Sequence, residues 1–139
     1  MRGFLIISLF IVTLFSACGG NDKDRSDTTT ASENADDAAR NFIRLFLDGD
    51  LDKARNMLVQ DSLNTQIFDA YERIYKNRSK QDKTGYKTSS IRVHASRVIN
   101  DSVSVVSYSN SYKNVIDSLK VVKDKGEWKI DLKFSLTPQ

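Results

Sequence analysis

The sequence predicts an α+β fold, in which helices come first and cover one side of an antiparallel sheet of about four strands. Two observations support this prediction. Between Ala35 and Lys76 the apolar residues recur at helical spacing, whereas from Ile91 onward they alternate with polar residues at a spacing of two. Short turn signals divide the alternating part into runs, which is typical of a strand meander.

The first predicted helix begins near Ala35, where Asn34 or Ser32 can cap its first turn. Gly49 provides a left-handed residue at which the helix can end. Its apolar residues fall on one stripe: Ala35, Ala38, Ala39, Phe42, Ile43, Phe46 and Leu47. We therefore expect this helix to cover the sheet.

Two more helices are predicted, one after Asp50 and one that begins at Asp61 or Ser62 and runs to about Lys76. The short second helix directs four residues inward: Leu51, Ala54, Met57 and Leu58. The third has the apolar stripe Leu63, Ile67, Ala70, Tyr71 and Ile74, with Tyr75 beside it. The polar and basic stretch 77–83 is predicted to be a loop.

Four strands are predicted to follow, on the runs 91–96, 103–112, 115–123 and 128–134. In the first run, Ile91, Val93 and Ala95 share one face, and His94 lies on the more polar one. In the last run, alternate residues form an apolar face: Trp128, Ile130, Leu132 and Phe134. Turns are expected at 100–101 and 113–114, and a tight hairpin at 124–126.

Composition excludes several classes of protein. The chain has 139 residues, which fits one domain with appendages, and a net charge of +3. Its single Cys excludes an internal disulfide framework, and with a single His it has no Cys/His set to hold zinc. The charge excess is small for a nucleic-acid-binding protein. We therefore expect no metal, no cofactor and no nucleic-acid partner.

The first 17 residues have the features of a secretory signal. Arg2 gives a short positive region, and the apolar run 4–15 is shorter than the ~20 residues that a membrane-spanning helix needs. The segment Leu14-Phe15-Ser16-Ala17-Cys18 resembles a bacterial lipobox, although Phe15 replaces the usual aliphatic residue. The resemblance implies cleavage before Cys18 and a lipid on its thiol, which would tether the protein to a membrane.

Residues 18–34 are predicted to be a flexible acidic tether, because 19–34 contain no large apolar side chain. The folded part is then expected over 35–136. We expect the anchored protein in the bacterial cell envelope, at the outer membrane, on either its periplasmic or its surface side.

Three segments of the folded part resemble the nuclear transport factor 2-like superfamily. They are 38–43 (AARNFI), 47–54 (LDGDLDKA) and 121–131 (VVKDKGEWKID). Among its members, the chain is most similar to small bacterial lipoproteins of unknown function. The resemblance implies a strongly curved sheet wrapped around a long helix, with a pocket at the mouth of a cone. Some relatives are isomerases or dehydratases, and others bind ligands or dimerise through the sheet.

Four side chains are candidates for a ligand-binding role: Tyr75, Tyr108, Tyr112 and His94. Aromatic rings with polar tips commonly line pockets. His94 has no carboxylate near it in sequence, so a surface or packing role is favoured over catalysis. Asp69 and Asp117 are the carboxylates least explained by caps and turns. No residue is assigned a catalytic role.

The leading hypothesis is a lipid-anchored, non-enzymatic module that binds a small ligand or an envelope protein. One alternative is an isomerase- or hydrolase-like enzyme that uses an acid or His94 in the pocket. A second alternative is a structural subunit that forms a homodimer through the sheet. The basic run 73–87 could meet anionic groups, but a solvated helix end explains it more simply.

Overall fold

A computed structural model of the protein describes residues 32–136. The predicted signal peptide, Cys18 and most of the predicted tether lie outside the described residues. The helices are α1 (Ala35–Asp48), α2 (Leu51–Asn56), α3 (Ser62–Lys76) and α4 (Lys80–Lys87). The strands are β1 (Ile91–Asn100), β2 (Val103–Asn110), β3 (Asp117–Asp124) and β4 (Glu127–Asp131), and a 3-10 helix covers Leu132–Leu136. The α+β class is confirmed.

The four strands form one antiparallel sheet in the order β1-β2-β3-β4. Helix α1 lies across the sheet and contacts all four strands. At the β4 edge, the Val59 amide donates to the Ile130 carbonyl at 3.0 Å, and the Ile130 amide donates to the Met57 carbonyl at 2.9 Å. The core therefore lies between the sheet and α1, with the segment after α2 closing one edge.

Both predicted ends of α1 are confirmed. The Asn34 side chain accepts a hydrogen bond from the Asp37 amide at 2.9 Å. Gly49 has a φ of 86°, and its position leads directly into α2. Helix α1 is predicted correctly because each of its boundaries has a local chemical signal. Helix α2 forms after Asp50 as expected, but the Asp50 side chain makes no capping hydrogen bond, and the helix ends at Asn56, before the buried Met57 and Leu58.

The predicted inward stripe of α3 is rotated from the observed one. Leu63 and Ile74 are 42% and 56% exposed, whereas Phe68 and Asn64 are completely buried. Asn64 turns inward because its side-chain oxygen accepts the Leu132 amide at 2.7 Å. A count of apolar residues could not reveal this orientation of the helix, because the residue that points inward, Asn64, is polar.

The prediction of three helices is wrong, because α4 begins within the stretch 77–83 that was expected to be a loop. Ser79 caps α4: its hydroxyl accepts the Asp82 amide at 3.0 Å and donates to the Asp82 carboxylate at 2.9 Å. The helix buries no residue of its own, so it has no apolar stripe to reveal it. The Arg44 side chain, from α1, holds the C-terminal end of α4 by donating to the carbonyls of Tyr86, Lys87 and Ser89.

Two strand predictions also need correction. A bulge at His94 shifts the register of β1, so that Ala95 pairs with Ser107 and is exposed instead of sharing a face with Val93. The last strand ends at Asp131, and Leu132 begins the 3-10 helix while staying buried. The hairpin at 124–126 is confirmed, with positive φ at both Lys125 and Gly126.

Candidate functional site

A cavity of about 400 Å³ opens between the helices and the β2–β3 end of the sheet. Small-molecule sites commonly have volumes of roughly 300–1,000 Å³. The lining of the cavity in this protein combines apolar and aromatic side chains with three charged residues, Arg78, Lys113 and Asp117. The aromatic members of the lining are Phe42, Phe46, Tyr71, Tyr86 and Tyr108.

The helical wall of the cavity is built from packed rings. Phe46 lies edge-on to Phe68 at 6.0 Å and to Tyr71 at 6.4 Å between ring centroids, and it stacks with Phe42 at 6.3 Å. Phe68 is completely buried beneath these rings. Because α1 and α3 both contribute to the cluster, the wall is set by helix packing rather than by a loop.

The sheet wall carries a tyrosine and a carboxylate side by side. Tyr108 of β2 pairs in register with Asp117 at the start of β3. Burial raises the pKa of Tyr108 well above its usual value, and the negative charge of the neighbouring Asp117 carboxylate raises the pKa further. The Tyr108 hydroxyl therefore stays protonated and can donate a hydrogen bond to the carboxylate or to a ligand.

Arg78, just beyond α3, places a half-buried cation at the lining. Its guanidinium carbon lies 4.2 Å from the Tyr86 ring centroid and 6.0 Å from that of Tyr75. Among residues 32–136, no carboxylate forms an ion pair with it. Stacking on a ring leaves the in-plane N–H donors of a guanidinium available.

A second cation lies next to this group. The Lys113 ammonium is 4.8 Å from the Tyr112 ring centroid and 3.7 Å from the Asp82 carboxylate. Tyr112 donates to the same carboxylate at 2.9 Å and meets Tyr86 edge-on at 5.0 Å. Hydrogen bonds from Ser79 and then Tyr112 lower the pKa of Asp82. Asp82 is therefore an ionised anchor for α4 and for the loop after β2.

The four predicted site residues do not come together. Tyr108 lines the cavity, whereas Tyr75 is buried behind the lining, where it meets Phe46 edge-on at 5.7 Å. Tyr112 packs behind Tyr86 and is not part of the lining.

His94 lies apart from the cavity. The Nε2 atom of its exposed side chain is 2.8 Å from the hydroxyl of Ser109. Ser109 follows Tyr108 in β2, so the two side chains point to opposite faces of the sheet.

The two unexplained carboxylates have different environments. Asp69 forms an ion pair with Arg55 at 2.8 Å, which gives it a structural role on the surface of α3. Asp117 is exposed at the cavity beside Tyr108. In the described part of the chain, no group of three His, Cys, Asp or Glu residues is placed to hold a metal ion.

Sequence reasoning missed Arg78, Tyr71 and Tyr86 as parts of the site. Arg78 belongs to the basic run that was interpreted as a solvated helix end. The available signal was the alternation of basic and tyrosine side chains over 71–86, because an arginine between tyrosines can stack on them. Helix α4 brings Tyr86 to the cavity. Because α4 was not predicted, the part of the lining that contains Tyr86 was not predicted either.

Together, the fold and the cavity define an α+β protein with an open, aromatic-lined cavity between its helices and its sheet. No family model matches the chain, and no curated protein matches it. Within 32–136, no helix has the length and apolar character required to cross a membrane.

Proposed function

We propose that the chain is a lipid-anchored lipoprotein of the bacterial cell envelope, whose folded part binds a small molecule without transforming it. The observation that supports binding is the cavity of about 400 Å³ with its wall of aromatic rings. Concave, mostly apolar sites with a few polar groups are typical of ligand binding. Its position between helices and sheet also suits the proposed nuclear transport factor 2-like domain, in which the pocket lies at the mouth of a cone.

An enzyme is the second candidate, and the Tyr108–Asp117 pair is the observation in its favour. A carboxylate that abstracts protons at neutral pH is generally shielded from water. Asp117 is exposed, and His94 lies on the other face of the sheet. The geometry therefore supports binding better than proton transfer. If the cavity were catalytic, Asp117→Asn would abolish turnover and leave ligand affinity nearly unchanged.

The alternative of a homodimer through the sheet has less support. On the face opposite Val106 and Leu119, Ser107, Ser118 and Lys120 lie at the centre of the sheet, and the apolar side chains that β2 and β3 add are Val103, Val105 and Val122. The two serine hydroxyls are 3.0 Å apart and bond to each other. Homodimer interfaces are usually richer in apolar side chains than this surface.

The binding proposal is tested by extracting the protein from native membranes and identifying small molecules that remain bound by mass spectrometry. Val115 is 66% exposed and lines the cavity, so Val115→Trp can obstruct the opening without disturbing the core. Val98 is 69% exposed on β1, outside the lining, and Val98→Trp is the matched control. We expect the bound molecule to be depleted only in Val115→Trp. Equal retention by both variants would contradict the proposal.

The anchor is proposed from Cys18 and the lipobox-like residues before it. Cells grown with labelled fatty acid should label the wild-type protein, and Cys18→Ser should remove the label. The same variant should leave the membrane fraction, because the attached acyl chains provide the membrane affinity. Labelling of Cys18→Ser at the wild-type level would refute the anchor while leaving the cavity proposal untouched.

A further inference from the structure

The charges of the cavity indicate what kind of molecule it accepts, provided that the proposed binding function is correct. We infer that the ligand is an amphipathic molecule with one anionic group, which Arg78 binds, and an apolar body that lies along Phe42, Phe46 and Tyr71. The inference depends on three features: a guanidinium that has no carboxylate within ion-pair distance among residues 32–136, the distribution of the other charges, and the apolar residues at the opening.

Arg78 is the group best placed to bind an anion. Its guanidinium is half-buried and stacked on Tyr86 at 4.2 Å, which fixes the plane of the five N–H donors. In the described part of the chain it has no carboxylate within ion-pair distance. Two oxygens of a carboxylate or phosphate can each accept one of two parallel hydrogen bonds from such a fork. The site therefore offers the geometry that an oxyanion needs.

The other two charges of the lining determine where the anion lies. Lys113 is held loosely, 3.7 Å from Asp82, and adds positive charge to the same lining as Arg78. Asp117 and Tyr108 occupy the sheet wall, where a carboxylate repels an anion. An anionic group is thus favoured at the Arg78 wall and disfavoured at the sheet wall. Asp82, which pairs with Lys113 and also interacts with Arg78, offsets part of the positive charge, so the site matches a single negative charge better than several.

The apolar part of the ligand has a continuous surface to contact. Ile74 and Val115 line the cavity although they are 56% and 66% exposed. Exposed apolar side chains beside a ring-lined cavity favour a ligand whose apolar body extends toward the opening. A purely polar anion would leave these side chains, and the packed rings of Phe42, Phe46 and Tyr71, in contact with water.

The test uses the full chain in phosphatidylcholine nanodiscs and a twelve-carbon fatty acid that carries a diazirine. Light cross-links the probe, and peptide mapping locates the attachment. Laurate, dodecyl phosphate and neutral dodecanol then compete with the probe. Each competitor also partitions into the nanodisc lipid, and this partition is the same for every variant. A difference in competition between two variants therefore reports a difference in binding to the protein.

We expect attachment to peptides that contain the cavity residues, and competition by both anions. Arg78→Gln should weaken competition by the anions about 10- to 100-fold and leave dodecanol unchanged. Arg78→Lys keeps the positive charge but loses the planar fork, so it should weaken competition by the anions, though less than Arg78→Gln does. Arg73→Gln makes the same charge change at an exposed position of α3 outside the lining, and it should behave as the wild type. Thermal unfolding of each variant checks that it is folded.

The outcomes separate this inference from the proposed function. If laurate competes better than dodecyl phosphate, the ligand is a carboxylate, and the reverse order indicates a phosphate. If dodecanol competes equally well and Arg78→Gln changes nothing, the inference fails, but a binding cavity remains. If no compound competes and the probe attaches outside the cavity, the proposed function fails as well.

Discussion

Asp61 joins the start of α3 to the end of the described fold. Its carboxylate accepts the Asn64 amide at 2.8 Å and the Asn64 side-chain nitrogen at 2.9 Å, and it forms an ion pair with Lys133. The Asn64 amide first, and the Lys133 ammonium second, lower the pKa of Asp61 to about 2. The carboxylate is therefore more stable as an anion in the folded protein than in the unfolded chain.

This pKa predicts how stability depends on pH. Because the pKa falls from 3.8 to about 2 on folding, the stabilisation by Asp61 is complete above pH 3.8 and is lost as the pH falls toward about 2. Urea denaturation of Asp61→Asn should show a smaller loss of unfolding free energy across this window than the wild type. Asp101→Asn, in the exposed β1–β2 turn, is the control. Parallel pH curves for all three proteins would contradict this explanation.

Asn64 gives a second prediction at the level of the residue. It is completely buried, and it accepts the Leu132 amide and donates to Asp61. Its side-chain nitrogen also donates to the Asp131 carboxylate at 3.4 Å. Asn64→Ala removes all three bonds from a buried site, so we expect a loss of about 2–3 kcal/mol in the free energy of unfolding. Gln66→Ala, at an exposed position of the same helix, should cost no more than about 0.5 kcal/mol. Similar losses for the two variants in urea denaturation would show that Asn64 has no special structural role.

Among the elements, the α1–α2 junction depends on one glycine. Gly49 has a φ of 86°, and a Cβ atom there would lie 2.6 Å from the Tyr75 hydroxyl. Gly126 has a φ of 87°, but a Cβ atom there would have nothing within 4 Å. The two positions share the same backbone requirement and differ only in their surroundings.

Alanine at each position separates backbone strain from steric conflict. Gly126→Ala should cost about 1–2 kcal/mol, because an L-residue is disfavoured in the left-handed region. Gly49→Ala should cost more, since Tyr75 is buried and cannot move away. Urea denaturation of both variants measures the difference. Equal losses would mean that the contact between Gly49 and Tyr75 does not constrain the junction.

The elements also show which parts of a fold a sequence predicts. The ends of α1 and the hairpin at 124–126 were predictable because Asn34, Gly49 and Gly126 act on their own backbone neighbourhood. Helix α4 has a local capping signal in Ser79 and Asp82, but it was missed because the helix has no apolar stripe and its end is held by Arg44, which is distant in sequence. The rotated stripe of α3 depends in the same way on the bond between Asn64 and Leu132.

For the whole molecule, the cavity was less predictable than the fold. Tyr108 was anticipated from its strand face, but its partners come from α1, α3 and α4. Spacing along the chain predicts which residues share one element and not which elements meet. Tyr112 and Tyr75 were therefore plausible candidates that the packing placed behind the lining. His94 follows Val93, which pairs with Tyr108, so strand alternation places His94 and Tyr108 on opposite faces of the sheet.

The central claim is that this cavity is a ligand site, and its tyrosines provide the most direct measurement. The chain has five tyrosines; Tyr71, Tyr86 and Tyr108 line the cavity, while Tyr75 and Tyr112 do not. With fluorotyrosine incorporated and each resonance assigned by a Tyr→Phe variant, laurate and dodecanol are titrated in turn while fluorine NMR spectra are recorded. We predict saturable shifts that are largest for Tyr71 and Tyr108 and smallest for Tyr75. If neither compound shifts Tyr71 or Tyr108, the cavity is not a ligand site.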